Sequence, residues 1–376
     1  MRILGPCILK GPAFIHVFLE AGSTTVRLDT NCRSVRLSTG PTQANPDNMK
    51  TLLSITVSIL YTANCVATVR TVSNAVGQPA QYTTIQPAIT ASSPGDTVYV
   101  MGSGTQYTSI TLDRPITLIG AGYAPPVPAF GTNIYTVYIY AAGAGSRVIG
   151  VEIPYIFYLY GNNVTVERCR IEQLQLNAGT SNNVIRHCYL NYVDLGYPLS
   201  IMVSNNLISA NYGYMINSSS SSVIITNNIF MGTSGYALST ISNALITNNI
   251  FWGSTPVQPT VTNCTFNKNI TFLTSNNTIP YGTNSGTGNL INVNPGFTNA
   301  PNNAINYTYN YDLLAFSAGN NAGTDGTDIG LFGGVAPMPG LGGVPRIPRV
   351  TQFDLQYSVV PQGGSLNVQV KAKKID

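Results

Sequence analysis

Between Phe130 and Tyr311, setting Tyr and Cys aside, the side chains able to carry charge are Arg147, Glu152, Glu167, Arg168, Arg170, Glu172, Arg186, His187, Asp194 and Lys268. All but Lys268 fall between Arg147 and Asp194, so any acid–base chemistry would be concentrated there. Arg168 and Arg170 could hold the carboxylate of an acidic sugar, each guanidinium presenting a fork of donors, while Arg186 or His187 takes a proton. That is the set a lyase acting on an acidic polysaccharide needs. The competing reading is an ion-pair ladder on an outer face, with opposite charges one strand apart neutralising each other. Four positive and four negative side chains, His187 apart, favour the ladder.

Other chemistries lack their residues. Inverting glycoside hydrolysis needs two carboxylates about 6.5–9.5 Å apart, and calcium-dependent cleavage needs clustered oxygen ligands. From 130 to 311 the chain has one Asp, Asp194, and each of Glu152 and Glu167 is expected to face an Arg. Asp325 and Asp328, in the Gly-rich stretch Gly323–Gly330, are weak candidates for calcium, because Asp in such a stretch equally bonds turn backbone. No other cofactor is expected. One His after residue 67 allows no Ser/His/Asp set, and the Cys spacings match no zinc site.

Aromatic side chains supply the other candidate surface. Tyr155, Gln173 and Tyr192 are expected to form one outward column, and Phe157, Gln175 and Asp194 the next, alternating with inward Ile156, Leu174 and Val193. A stripe of Tyr155, Gln173, Tyr192, Gln175 and Asp194 suits a polysaccharide or cell-surface glycan, with rings against C–H faces and polar groups on hydroxyls. Tyr also simply fits a half-buried β surface.

What would hold these residues in rows is a repeat. Val223–Phe230 (VIITNNIF) returns as Ala244–Phe251 (ALITNNIF), 21 residues later. Each copy reads as a short strand, a polar corner with two Asn, and a second short strand. A unit this small cannot bury its own apolar face and must stack on copies of itself. The expected fold is therefore all-β, a parallel β-solenoid. Aligning the coils places Val148, Val166, Ile185, Val203, Ile225, Ile246 and Val261 in one column, with steps of 18, 19, 18, 22, 21 and 15 residues. Three positions on, the column reads Val151, Cys169, Cys188, Asn206, Asn228, Asn249, Cys264; five positions on, Ile153, Ile171, Leu190, Ile208, Phe230, Phe251, Phe266. Stacked Asn can satisfy one another along the axis, and the Cys read as small buried apolar residues, with a Cys169–Cys188 disulfide not excluded by distance.

Ahead of the repeats, Tyr82–Ile89 reads as a short helix with Ile85, Ala88 and Ile89 on one side, capping the open end of the first coil. The stretch YTTIQPAITASSPGDTVYV followed by ITLIGAGY resembles the opening of secreted bacterial right-handed parallel β-helix repeat proteins, whose fold is that of the pectate-lyase-like superfamily. The resemblance covers roughly 80–335, and the closing NPGF and GTDGTDIG segments resemble those of the Bacteroidetes group. It implies the fold strongly. It leaves the activity open between a structural, adhesive or glycan-binding role and a carbohydrate-active enzyme.

The expected organisation is an upstream extension over 1–48, a signal peptide over 49–67, a cap and first coils over 68–122, the β-helix over 123–334, a Pro/Gly linker over 335–349 and a β-hairpin tail over 350–376 that could serve surface assembly. Met49-Lys50, an apolar run and small residues near Ala67 carry the signal reading, hence an expected secreted or outer-surface location. The apolar run is too short to span a bilayer comfortably. Six basic against three acidic residues precede position 68, and twelve against eleven follow it, leaving about +1 and no basic stripe for nucleic acid.

Overall fold

The computed structural model describes residues 67–124, 130–209, 214–218, 223–232, 235–306, 308–347, 349–355 and 368–373. The expected upstream extension and nearly all of the signal segment, with Cys7, Cys32 and Cys65, lie outside the described residues.

Short runs of β-branched residues cannot form a stable sheet alone, and here they stack in parallel along one axis. Ten strands make the first sheet, from Val69–Val72 and Thr97–Val100 through Arg147–Ile149, Thr165–Glu167 and Asn183–Arg186 to Thr265–Asn267. Twelve make the second, which begins at Ile110–Leu112 and includes the long strands Glu152–Leu159, Arg170–Leu176 and Tyr189–Gly196. In later coils the long strand divides in two, as in Ile229–Met231 and Tyr236–Ser239. The result is the expected right-handed β-helix. Its inner column runs Val98, Leu118, Val148, Val166, Ile185, Val203, Ile225, Ile246, Phe266, each fully buried.

The last step of the sequence alignment is corrected. Ile246 pairs with Phe266, not with a residue level with Val261, and Phe251 pairs with Thr271. Cys264 therefore leaves the Asn column for the opposite corner, where its Sγ accepts from the Ala244 N–H at 3.4 Å and its own N–H donates to Asn284 Oδ1 at 2.9 Å. The Asn column continues instead into Asn269 and Asn289.

In that column each side chain ties three coils together. The N–H and Nδ2 of Asn228 both donate to Asn249 Oδ1, at 2.9 and 3.0 Å, while Nδ2 also reaches the Val203 carbonyl of the preceding coil at 2.9 Å. Asn206, Asn249 and Asn269 repeat the pattern. Cys169 and Cys188 remain thiols in the same slot, with Cys188 Sγ accepting from the Cys169 N–H at 3.4 Å. Burial pushes the Cys188 thiol well up, so it stays protonated.

A helix at Ile85–Thr90 buries Ile85, Ala88 and Ile89 against the first coils, as expected. The strand Val69–Val72, which the sequence reading passed over, adds one more rung, Val69 opposite Thr97. At the other end the chain folds back to build a second apolar core on the outside of the second sheet. Outward Leu207, Ile229, Ile250 and Ile270 are covered there by Tyr311, Ile329, Leu331 and Met338. The tail forms the expected antiparallel pair, Arg349–Leu355 with Val368–Lys373, and its expected turn at Pro361–Gly364 lies outside the described residues. Among the described residues no helix is long and apolar enough to cross a membrane.

Asn249→Ala removes the acceptor for two buried donors at once and should cost about 3 kcal/mol, read as a lower thermal midpoint. An unchanged midpoint would show that the ladder does not hold the coils together.

Candidate functional site

The corner between the two sheets turns on a single residue with a left-handed backbone. Along the stack these residues are Gly150 (φ 67), Arg168 (57), His187 (57), Asn205 (52), Asn227 (56), Asn248 (57) and Lys268 (56). Gly and Asn accept this conformation readily, whereas Arg, His and Lys carry a cost of about 1 kcal/mol or more. The positions expected to do chemistry, Arg168 and His187, are thus corner residues in the same file as the asparagines.

A strap formed by residues 324–344 covers that file, running back along the axis. Asn248 exchanges hydrogen bonds with Thr324, Asn227 Nδ2 donates to the Asp328 and Gly330 carbonyls, and Asn205 Nδ2 donates to those of Leu331 and Gly333 at 2.9 Å each. His187 Nε2–H donates to the Ala336 carbonyl at 2.7 Å, a carbonyl being an acceptor only, and Arg168 Nη1 donates to the Val344 carbonyl at 2.9 Å. At the far end the Tyr123 N–H donates to the Gly342 carbonyl at 3.0 Å. The stretch expected as a linker from 335 onward is, in its described part, laid against the solenoid.

Beneath the strap, Glu167 gathers the charges. Its Oε2 accepts from Arg186 Nη2 at 2.9 Å and Nε at 3.3 Å and lies 3.5 Å from Arg147 Nη2. Its Oε1 faces Arg168 Nε at 3.4 Å and His187 Nδ1 at 3.8 Å, two buried atoms without a formed hydrogen bond. Burial pushes the Glu167 carboxyl up, but His187 and Arg186 outweigh it and hold it at about 2. At 3.8 Å the His187 contact is electrostatic, so Arg186 is the stronger partner by geometry. Burial lowers the pKa of Arg168, opposed by Glu167 and reinforced by the like charges of Arg346 and Arg186.

Arg168, Arg186 and His187 are therefore brought together; Arg170 is not. It lies across the corner, paired with Glu152 at 2.6 Å, its guanidinium 5.5 Å from the Tyr189 ring. Each expected opposite-charge rung, Glu152 with Arg170 and Glu167 with Arg186, is present. Arg168 and His187 are only 4 % and 5 % exposed, with the strap between them and any polymer.

The expected aromatic columns are corrected by a β-bulge between Ile153 and Ile156, which shifts the pairing by one residue and turns each side chain to the other face. Gln173 lies between Ile156 and Tyr192, and Gln175 between Tyr158 and Asp194; Phe157, expected outward, is fully buried. Tyr155 stacks on Tyr135 at 5.1 Å. Beside it lies a lattice the sequence reading missed: Tyr138 on Tyr158 at 5.0 Å, Tyr140 on Tyr160 at 5.6 Å, and the two pairs 6.0–6.2 Å apart. Burial and its three phenol neighbours push Tyr160 up. The signal was present as Tyr-x-Tyr at 138–140 and again at 158–160. Asp194 Oδ1 accepts from the Gly196 N–H at 3.0 Å, so part of it serves its own turn.

Asp325 accepts from the Thr327 hydroxyl and N–H at 2.7 and 3.1 Å, which holds its carboxyl below the usual range, and Asp328 accepts from the Asn321 N–H at 2.8 Å. Among the described residues no three His, Cys, Asp or Glu cluster as metal ligands. No protein-family model matches the chain, and no curated protein matches it.

The depressed Glu167 pKa sets a pH window. Its stabilisation is present above the usual 4.5 and lost as pH falls toward about 2. At most about 3 kcal/mol is at stake. Acid unfolding of Glu167→Gln should be flatter across that window than that of the parent; equal slopes would remove Glu167 as the hub. His187→Asn, which suits the left-handed corner, should fold with stability unchanged or raised. Asn205→Ala should let a protease cut between 331 and 346, and equal resistance would mean the strap does not depend on the corner amides.

Proposed function

We propose that this chain is a secreted or cell-surface binding scaffold whose second sheet presents a glycan-binding face. The observation that carries the reading is the lattice of Tyr138, Tyr140, Tyr158 and Tyr160, flanked by stacked Tyr135 and Tyr155 and continued by Gln175, Gln173 and Tyr192. Rings stacked along the axis cover one another's faces, so the lattice offers phenol edges and hydroxyls at regular intervals. An extended polymer with hydroxyls at regular intervals can meet such rows at many points, each contact weak and the sum substantial. Tyr135, Tyr140 and Tyr155 are 45 %, 47 % and 50 % exposed, far more than a purely internal stack requires. Cleavage of an acidic polysaccharide at Arg168, Arg186 and His187 is the less supported reading, because reaching Arg168 or His187 would require lifting the strap. The expected secreted location enters from the signal reading, and assembly through the tail stands as a further proposal on the same footing.

The test is binding of the intact chain to a panel of neutral and acidic polysaccharides, with absorbance of unsaturated product followed in parallel. Retention on at least one polymer should fall about tenfold or more when Tyr140, Tyr158 and Tyr160 are changed to Ala, since losing three contacts of about 0.5 kcal/mol or more each amounts to that factor. Binding that ignores those changes would sink the reading. Release of unsaturated product that disappears in Arg186→Ala and His187→Ala would replace it with the lyase.

A further inference from the structure

Where the last coils meet the closing segment, a cleft of about 630 Å³ opens, within the usual range of small-ligand sites, about 300–1,000 Å³. Trp252 closes its floor, only 7 % exposed, with Phe272 and Phe297 tilted against it at centroid distances of 6.1 and 5.6 Å. Its rim is unusual. Phe316 is 84 % exposed and Leu273 64 % exposed, two large apolar side chains held out over an opening.

Leu273 also has a left-handed backbone, φ 52, at the position where the preceding coil has Gly253 with φ 85. A bulky residue there carries a cost of about 1–2 kcal/mol, and at this exposure burial returns little of it. Neither local conformation nor packing accounts for Leu273. A ligand seated against it would.

The lining also limits what that ligand is. None of its side chains is ionisable, so a charged group entering the cleft would lose water without a counter-charge. Polar groups are nevertheless interleaved with the rings. Asn294 spends its Oδ1 on the Gly296 N–H, leaving its amide donors, whereas the Ser317 hydroxyl on the same wall already donates to the Pro295 carbonyl and accepts from the Gly319 N–H, so it can offer only a remaining lone pair. Apolar rings beside neutral donors and acceptors match a sugar, which has a C–H face and a rim of hydroxyls. We infer that this cleft is a carbohydrate subsite for a short uncharged oligosaccharide, its C–H face on Phe316, Phe297 and Leu273 and its hydroxyls toward the Asn294 amide. The inference rests on the glycan-binding reading for its ligand class, but on different residues from the tyrosine lattice.

Trp252 is the only Trp of the chain, so its emission reports the floor of this cleft and the apolar core it belongs to. The experiment titrates the full chain with neutral gluco-, manno-, xylo- and N-acetylglucosamine hexasaccharides, and with an oligogalacturonate, while following that emission. A saturable change is expected with at least one neutral series and none with the oligogalacturonate. Phe316→Ala should weaken it about tenfold, the loss of one ring contact of about 1.4 kcal/mol. Leu273→Gly should weaken it several-fold while folding at least as well, because Gly suits that backbone. Tyr158→Ala with Tyr160→Ala should leave the emission response intact. No change with any neutral sugar, or a change that Phe316→Ala does not touch, overturns the subsite. If polymer binding through the tyrosine lattice persists in that case, only the subsite falls; if both responses are absent, the glycan reading falls with it.

Discussion

A fully buried carboxamide is tolerable only when its oxygen and nitrogen both find partners, and along the inner Asn column each oxygen finds them on the coil before, while each nitrogen reaches the next Asn and a backbone carbonyl. Asn228, Asn249 and Asn269 are each 0 % exposed and each lends its Oδ1 to two donors of the coil before. The condition is unforgiving: a coil that misplaced its Asn by one position would strand two donors in the core. Coil length can therefore vary only in the outer loops, while the turn that delivers the Asn stays fixed. That turn requires a left-handed residue immediately before it, and so the inner ladder dictates the outer corner file. The strap in turn exists because that file offers amides and cationic groups pointing outward. One inner constraint orders the ladder, the corner and its cover.

The inner side of this arrangement was legible because its periodicity is local. Repeated Asn-Asn before an apolar pair located the ladder, and stacking the coils on it placed Glu152 opposite Arg170 and Glu167 opposite Arg186. The misreadings have two physical sources. A single extra residue in Glu152–Leu159 is invisible to an alternation pattern, since Ile156 and Phe157 are equally apolar, yet it exchanged which of them faces the core. Val261 is as good a core residue as Phe266, so pattern alone misaligns the last coil; the pairing of Ile246 with Phe266 and the hydrogen bond from Asn249 to Asn269 distinguish the two. The strap was illegible for a different reason. His187 meets Ala336 across 149 residues and Arg168 meets Val344 across 176, and in each case the strap contributes a backbone carbonyl, which leaves no mark on side-chain pattern.

The cationic corner shows how composition can suggest chemistry that geometry redirects. Arg168 and His187 have the residue types of a proton-transfer site, and their neighbour Glu167 is held ionised chiefly by Arg186. Each nonetheless spends its outward nitrogen on the strap and its inward one facing Glu167. Part of the charge concentrated on three coils is here a clasp at the corner, Arg170 is paired with Glu152 beyond it, and the tyrosine lattice and the Trp252 cleft are lined by phenols, amides and rings.

The strap also settles which way the molecule faces. It returns the chain from the last coils to the first, so that the Gly342 carbonyl meets Tyr123 and that of Val344 meets Arg168. The chain thus leaves the stack near the end at which it entered, while the cleft floored by Trp252 lies at the other. Tension applied from residue 347 onward would meet the anchors singly, Arg168 before His187 and His187 before Asn205. A cover fastened in this way resists diffuse thermal agitation through all its bonds together, yet yields to a directed pull one bond at a time.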